Sequence, residues 1–449
     1  LVADGLVPAS SPEDADLLVV NTCAFIDAAR EESIDVALAL SGSRKAGARL
    51  VVTGCMAERY GDELAEALPE ADAVVGFAGE GSIASVVAGL GTRGTRRAQP
   101  QAPAIVHLGR KPVGVRDLLE LPRLPSSTPW AYLKVAEGCD RVCAFCSIPT
   151  FRGAQRSRTP EAIFDEARGL VLGGSVEIVL VAQDLASYGR DAGAPGSLAA
   201  LLRRLDSLTG EGLERLRLLY LYPSQVRDPL VATMLELGSV VPYFDLSLQH
   251  ASGPLLRRMA RWGSGERFLA IIESIRQRCP EATFRSSFIF GFPGETEDDH
   301  DELLGFLEAA SLDWAGLFSF SSEDGTSASA MSEHVPREIT LERLAEAGEI
   351  QDRITAGLRG ALVGETIEVM VDVVETEAKA RRSAKASPAR VVGRSHREAP
   401  EIDGVVLIEG AAGDVRAGDL LTVRVTGVEG PDLEATALRE LSGAREWSR

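Results

Sequence analysis

Histidine is scarce in this chain of 449 residues, which holds five, and cysteine is nearly as rare, at six. No apolar run reaches membrane-spanning length, and no secretory leader is visible. Positive charge is in deficit: 47 Lys and Arg stand against 66 Asp and Glu, a formal net charge of −19. Each shortage excludes something. So negative a field does not suit broad binding to nucleic acid or to a membrane surface, which needs cations, although a basic protein partner is compatible with it. Few and unevenly placed cysteines do not make the disulfide framework of a secreted protein. The chain therefore reads as cytoplasmic, in a reducing compartment. With 45% hydrophobic and 25% charged residues it has an ordinary globular composition. Its length exceeds one core and suggests about three domains.

The cysteine that is present is concentrated. Cys139, Cys143 and Cys146 fall within eight positions of the stretch EGCDRVCAFCSIPTFRG, Glu137–Gly153. At that spacing one short loop can turn three sulfurs towards a common point. Three thiolates are one too few for a closed structural zinc site. They suit an iron–sulfur cube that keeps one iron free. A zinc knuckle with a distant fourth ligand, or three reduced cysteines in a core, are the plainer readings. No histidine lies within zinc-knuckle distance, the nearest being His107 in a Pro- and Arg-rich stretch. Cys279, before Pro280, reads as structural.

The remaining chain divides by pattern. Over 1–95, short apolar strands at Leu17–Val20, Leu50–Thr53 and Ala73–Val75 alternate with helical segments, which implies a parallel α/β sheet. Cys23 and Cys55 each sit just past a strand end, on one edge of such a sheet, where helix N-termini favour thiolates. Two buried apolar cysteines are the alternative. The chain opens at Leu1 in what reads as the end of a helix, so the N-terminus is expected to be truncated. Residues 96–125 have linker composition. Over 126–358 six strands are expected: Ala131–Val135, Glu177–Val181, Leu216–Leu221, Phe244–Leu248, Thr283–Phe290 and Trp314–Phe320. Alternation with amphipathic helices predicts a parallel barrel or partial barrel, with its chemistry at the carboxyl ends of the strands. Those ends carry the cysteine loop, Gln183-Asp184, Tyr222-Pro223, Gln249-His250, the GFPGE run from Gly291, and Ser321-Ser322-Glu323. His250 alone reads as a satisfied polar residue, and GFPGET as a tight turn with Thr296 as helix cap. Over 359–449 period-two alternation predicts a small all-β domain of about five strands, an OB-like barrel. Residues 361–449 hold twelve Lys/Arg and sixteen Asp/Glu, an acidic balance that points away from phosphate binding.

The C-x3-C-x-aromatic-C loop resembles that of the radical-SAM superfamily, in which the free iron of a 4Fe–4S cluster chelates S-adenosylmethionine. NTCAFIDAAREESID and VTGCMAERYGDEL resemble the flavodoxin-like N-terminal domain of the methylthiotransferases within it. Six βα units match its open (β/α)6 barrel, and the final segment is similar to a TRAM domain. The resemblance implies a second, auxiliary 4Fe–4S cluster in which Cys23 and Cys55 match the second and third cysteines. The first belongs to a G-C-x-x-N segment that has no counterpart in this chain. It implies cofactor contacts at Gly291, in the glycine segment after strand five, and at Gln183, Gln249 and Arg285 on the rim.

LYLYP (219–223), YFDLSLQHAS (243–252), LLRRMARW (255–262) and VVGRSHREAPEIDGVVLI (391–408) look like one branch of that family, which modifies an aspartate of ribosomal protein S-twelve. The branch that modifies tRNA adenosine usually has Q-S-G where Gln249-His250-Ala251 stand, and a more basic closing barrel. The implied reaction uses S-adenosylmethionine as radical initiator and methyl donor, and the auxiliary cluster for sulfur. It places a methylthio group on an aspartate β-carbon, in a cleft where the two clusters face the substrate. The implied partners are ribosomal protein S-twelve and an electron donor such as flavodoxin or ferredoxin, with no membrane and with tRNA disfavoured by the acidic charge. The rivals are a tRNA adenosine methylthiotransferase and a non-catalytic iron–sulfur or RNA-binding module.

Overall fold

The computed structural model describes residues 1–81, 83–89, 105–107, 126–194, 196–375, 390–411 and 414–440. They form two compact units. The first holds β1 (Leu17–Thr22), α1 (Asp27–Ser43), β2 (Arg49–Gly54), α2 (Cys55–Ala67), β3 (Ala73–Val75), α3 (Phe77–Glu80), α4 (Ile83–Gly89) and β4 (Ile105–His107). To these it adds Cys146–Gly153, which contains α5 (Ile148–Arg152), and Ser321–Thr326. The sheet is parallel in the order β1-β2-β3-β4. Both faces are apolar, as a parallel sheet with helices on both sides requires. Leu18, Val20, Leu50 and Val52 pack with Ala37 of α1 and Leu64 of α2, while Val51, Ala73 and Val75 pack with Ile83 and Val86 of α4. Strand β4 lies inside the segment read as linker, where three apolar-flanked residues give too short a periodic signal to stand out. The rest of 96–125 lies outside the described residues.

The second unit opens with β5 (Trp130–Lys134), the two-residue strands β6 (Ala136–Glu137) and β7 (Arg156–Ser157), α6 (Pro160–Leu172), β8 (Glu177–Val181), α7 (Ser197–Asp206), β9 (Arg215–Leu218) and α8 (Asp228–Glu236). It continues with β10 (Tyr243–Gln249), α9 (Gly253–Arg258), α10 (Gly265–Arg278), β11 (Thr283–Phe290), α11 (Glu297–Ala310), β12 (Trp314–Ser319) and α12 (Arg337–Gly360). Strands β5-β8-β9 and β10-β11-β12 form two parallel sheets, joined through bridges Leu216–Val240 and Leu221–Leu246. Among the described residues β5 and β12 do not pair, so the six strands make an open barrel. The expected strands are all present, with ends shifted by up to three residues. Missed were the short α9 and the β6–β7 pair, both too brief for periodicity to register.

Alternation along each strand sorts the side chains. Phe244, Leu246 and Leu248 of β10, with Phe284, Phe288 and Phe290 of β11, join helix residues such as Ile163, Ile272 and Phe306 in the main core. The intervening positions turn to the other face, where Val179, Leu219, Tyr243 and Trp314 meet Ala399. Ala399 comes from the last part of the unit: β13 (Thr366–Glu375), β14 (Arg390–Arg394), β15 (Val406–Glu409), β16 (Leu420–Glu429) and β17 (Asp432–Glu440). These close into the five-stranded barrel β13-β14-β15-β17-β16 expected from the alternating pattern.

The connection from β14 to β15 is bound to the amino-end residues of the larger barrel. Arg215 donates to the carbonyl of Arg394 (2.7 Å), Arg217 to that of His396 (2.8 Å), and the Trp314 indole to that of Arg397 (2.7 Å). Glu177, fully buried, sits between Arg217 (2.7 Å) and Arg394 (2.8 Å). Glu398, equally buried, pairs with Arg359 and accepts from the Ser395 hydroxyl (2.6 Å). Burial alone would push these carboxyls up. The guanidiniums of Arg394 and Arg217 around Glu177, and of Arg359 at Glu398, overcome it and hold both at about 2.

An unfolded glutamate ionises near 4.3. Both groups therefore contribute stability that is present above that pH and lost as pH falls towards about 2. The urea midpoint should decline between pH 5 and pH 2, and Glu398→Gln should both lower the midpoint at neutral pH and flatten that decline. An E398Q protein with an unchanged acid profile would show that the pair contributes nothing there.

Candidate functional site

Six strand ends share one edge of the open barrel, and the cysteine loop leaves the first of them. Its neck is tied twice: β6 pairs antiparallel with β7, and the Gln155 N–H donates to Asp140 (2.9 Å). Ala144, between the last two cysteines, is fixed through its backbone. Its N–H donates to the Met259 carbonyl, and its carbonyl accepts from the Ala328 N–H, both at 2.9 Å. Phe145 packs against the main core.

Arginines surround the loop's sulfurs. Arg141 donates through Nε to Asp184 (2.7 Å) and through Nη2 to Ser187 (3.0 Å), while the Ser187 hydroxyl donates to Asp184 (2.7 Å). That clamps the loop to the end of β8. The backbone N–H of Arg141 donates to the Cys139 sulfur, and Arg261 Nη1 to that of Cys143, both at 3.4 Å. The Tyr222 ring lies between the two guanidiniums, 3.7 Å from Arg141 and 4.1 Å from Arg261. Burial pushes the Cys139 thiol up, against the Arg141 N–H, which draws it down.

The sequence-derived residues fare differently. Cys139 and Cys143 lie in the second unit and Cys146 opens the segment packed with the first; none of the six cysteines forms a disulfide. Among the described residues no three His, Cys, Asp or Glu side chains are gathered as a metal cage. The Cys139 and Cys143 sulfurs accept from the arginine donors just named. Gln183 stands at the end of β8, where its Nε2 donates to Glu137 (3.3 Å), itself paired with Lys134 (2.7 Å). Gln249 ends β10 with φ 77°, and Tyr220 follows β9 with φ 63°. Positive φ is uncommon for residues with a Cβ, and two such residues at neighbouring strand ends mark a constrained rim.

Gly291 also has positive φ (76°), and a Cβ there would meet the Thr340 hydroxyl at 2.3 Å. Its lack of a side chain thus serves packing against α12. The GFPGET run is held by Glu295, which accepts from the N–H groups of Gly291 and Phe292 and pairs with Arg343 (3.0 Å). Thr296 caps α11 in a capping box with Asp299, as its position predicts. His250 is buried, accepts from the Ser252 N–H at Nδ1 (3.1 Å), and is pushed down to about 3 by burial. Its buried Nε2 has no hydrogen-bond partner, so the ring is only half satisfied.

Arg285 is the correction. It stands third in β11, near the amino end, and pairs there with Asp245 (3.3 Å) and Asp403 (3.5 Å). Its register opposite Trp314, the first residue of β12, keeps it away from the carboxyl rim. The strand was located correctly, but which of its ends a residue occupies relative to the β14–β15 connection is a tertiary fact. Arg141 and Arg261 were missed as site residues because arginine spacing carries no periodic signal.

In the first unit, Thr22 is in register with Gly54, so Cys23 and Cys55, the next residues, leave adjacent strands on the same edge. Arg152 donates to the Cys55 sulfur (2.7 Å), with its guanidinium 5.1 Å from the Phe77 ring centroid. Glu323 is bound by Arg30 (2.7 Å) and Arg59 (2.5 Å).

The donor chemistry fits the groups that the resemblance implies. Three thiols in eight residues match a cluster with one open iron. Beside them the buried Gln183 Oε1 and Asp184 Oδ1 have no hydrogen-bond donor. Buried acceptors are normally satisfied, so these two suit the amino and hydroxyl donors of a bound S-adenosylmethionine.

Comparison with known proteins agrees. Residues 133–307 match the radical SAM superfamily, 363–438 the TRAM domain, and 1–76 an uncharacterized protein family, UPF0004. A solved radical S-adenosylmethionine methyltransferase, TsrM from Kitasatospora setae, shares the fold at TM-score 0.50 and 15% identity, covering 67% of this chain and 61% of its own. Curated relatives named ribosomal protein uS12 methylthiotransferase RimO are similar almost end to end. The one from Kineococcus radiotolerans is 41% identical over 95% of this chain and 90% of its own. That from Cutibacterium acnes is 42% identical over 96% and 92%, and that from Streptomyces coelicolor 38% over 100% and 94%. At this identity along nearly the whole chain, the protein belongs to the RimO family of radical SAM methylthiotransferases.

Proposed function

We propose that this protein attaches a methylthio group to the β-carbon of an aspartate of ribosomal protein uS12. The observation that carries the reading is the identity of about 40% to uS12 methylthiotransferases along nearly the whole chain. Family membership brings one 4Fe–4S cluster and S-adenosylmethionine with it. Cys139, Cys143 and Cys146 are the cluster's ligands in this reading, and Cys23 and Cys55 contribute to an auxiliary cluster. Together these groups supply a carbon radical and the methylthio unit, chemistry beyond any side-chain base because the β-hydrogen of an aspartate is not acidic at neutral pH.

The chain's own residues orient and hold. Arg141, clamped by Asp184 and Ser187, fixes the cysteine loop against β8. Gln183 and Gln249 at the strand ends, with the backbone at Gly291, contact the cofactor. The orphaned oxygens of Gln183 and Asp184 accept its donors. The acidic character of the chain and of its closing barrel suits a basic protein substrate and not tRNA. An electron donor of the flavodoxin or ferredoxin kind completes the system, in the cytoplasm. Among the described residues no helix is long and apolar enough to cross a membrane.

After anaerobic reconstitution, Cys143→Ala should abolish cleavage of S-adenosylmethionine under strong reductant while Cys279→Ala retains it. Cleavage that persists in C143A would remove the loop from the chemistry. Mass spectrometry of uS12 and of tRNA after incubation decides the substrate: a methylthio gain is expected on a uS12 aspartate, and a gain on tRNA alone would reverse the choice.

A further inference from the structure

Among the arginines near the cysteine loop, Arg261 is the anomaly. Arg141 is neutralised by Asp184, and Arg258 by Glu333. Arg261 is 9% exposed, and among the described residues no carboxylate pairs with it. Its Nη2 donates to the Ser247 carbonyl, its Nη1 to the Cys143 sulfur, and its buried Nε has no acceptor at all. Ala260, just before it, adopts φ 53°, a conformation that a residue with a Cβ takes reluctantly and that turns the chain out of α9 into this position. Tyr222 holds the guanidinium on its face, and the Tyr222 hydroxyl accepts from the Trp262 N–H (3.3 Å). A buried cation without a counter-ion is costly, so its persistence calls for negative charge nearby. The group its Nη1 donor meets is the Cys143 sulfur.

We propose that Arg261 is the counter-charge of the cluster carried by the Cys139–Cys146 loop, a positioning residue whose cation favours the reduced form. The inference rests on that loop holding a cluster. An added electron increases the negative charge on the cluster and its thiolates, and a fixed cation at van der Waals range of one ligand sulfur stabilises that state more than the oxidised one. Hydrogen bonds and charge around ligating sulfurs are the levers by which proteins set cluster potentials. Tyr222 contributes by clamping the guanidinium in a single orientation between the two arginines.

The test uses the full chain with Cys23→Ala and Cys55→Ala, so that only the loop's cluster is read, comparing Arg261, Arg261→Gln and Arg261→Lys. Each protein is reconstituted without oxygen, its iron and sulfide are counted, and its midpoint potential is followed by electron paramagnetic resonance. Arg261→Gln should keep its iron but show at least a tenfold lower ratio of reduced to oxidised cluster at any fixed potential, a midpoint about 59 mV more negative for one electron. Arg261→Lys, which keeps the charge, should stay near the parent. Loss of iron from the Gln variant alone, with a parent-like Lys variant, also supports the charge role. An unshifted midpoint in the Gln variant overturns it, as does an equal shift or equal iron loss in both variants, since packing would then be the cause. A parent protein that holds no cluster at the loop overturns the loop assignment itself, and this is seen before any change at Arg261.

Discussion

An open barrel of parallel strands has an amino end that must be stopped, and here a cluster of buried ions stops it. Glu177, Arg215 and Arg217 stand at the first turns of β8 and β9 with no exposure to solvent. Left alone they would be costly to bury. The β14–β15 connection makes them tolerable by bringing Arg394, with Asp372 behind it, and the carbonyls of residues 394–396. Further up the same face Tyr243 donates to Asp403 (2.6 Å), whose carboxyl burial pushes up to about 6. The small five-stranded barrel is therefore bonded to the large one by ions and hydrogen bonds that a shift of one residue would break. Apolar contact contributes the small cluster around Ala399.

With the amino end occupied, chemistry is left to the carboxyl end. The residues there are held by unusually specific means: a loop pinned through the backbone of Ala144, two non-glycine residues in left-handed conformation, and an Arg–Tyr–Arg stack. Of the two guanidiniums, that of Arg261 donates to the Cys143 sulfur, while that of Arg141 pairs with Asp184. Arg261 thereby sets a cation beside a cysteine sulfur in a chain that is acidic as a whole.

The Arg285 misplacement and the Gly291 finding share one physical cause. The resemblance implies a cofactor contact at each. Each has a structural neighbour remote in sequence, Asp403 for Arg285 and Thr340 for Gly291. Strand assignment fixes the face a residue points to, through period-two alternation, but not the depth at which it meets another segment.

The sequence by itself determined the domains' classes, nearly every strand, the capping box at Thr296, and the close spacing of Cys139, Cys143 and Cys146. These are local properties, carried by alternation, turn chemistry and ligand count. The tertiary structure alone decided that Arg141 and Arg261 meet across Tyr222, that β4 extends the first sheet, and that 394–403 fills the amino end of the open barrel. Such contacts join residues dozens to hundreds of positions apart, and no periodicity links their spacing, so only the folded chain brings them together.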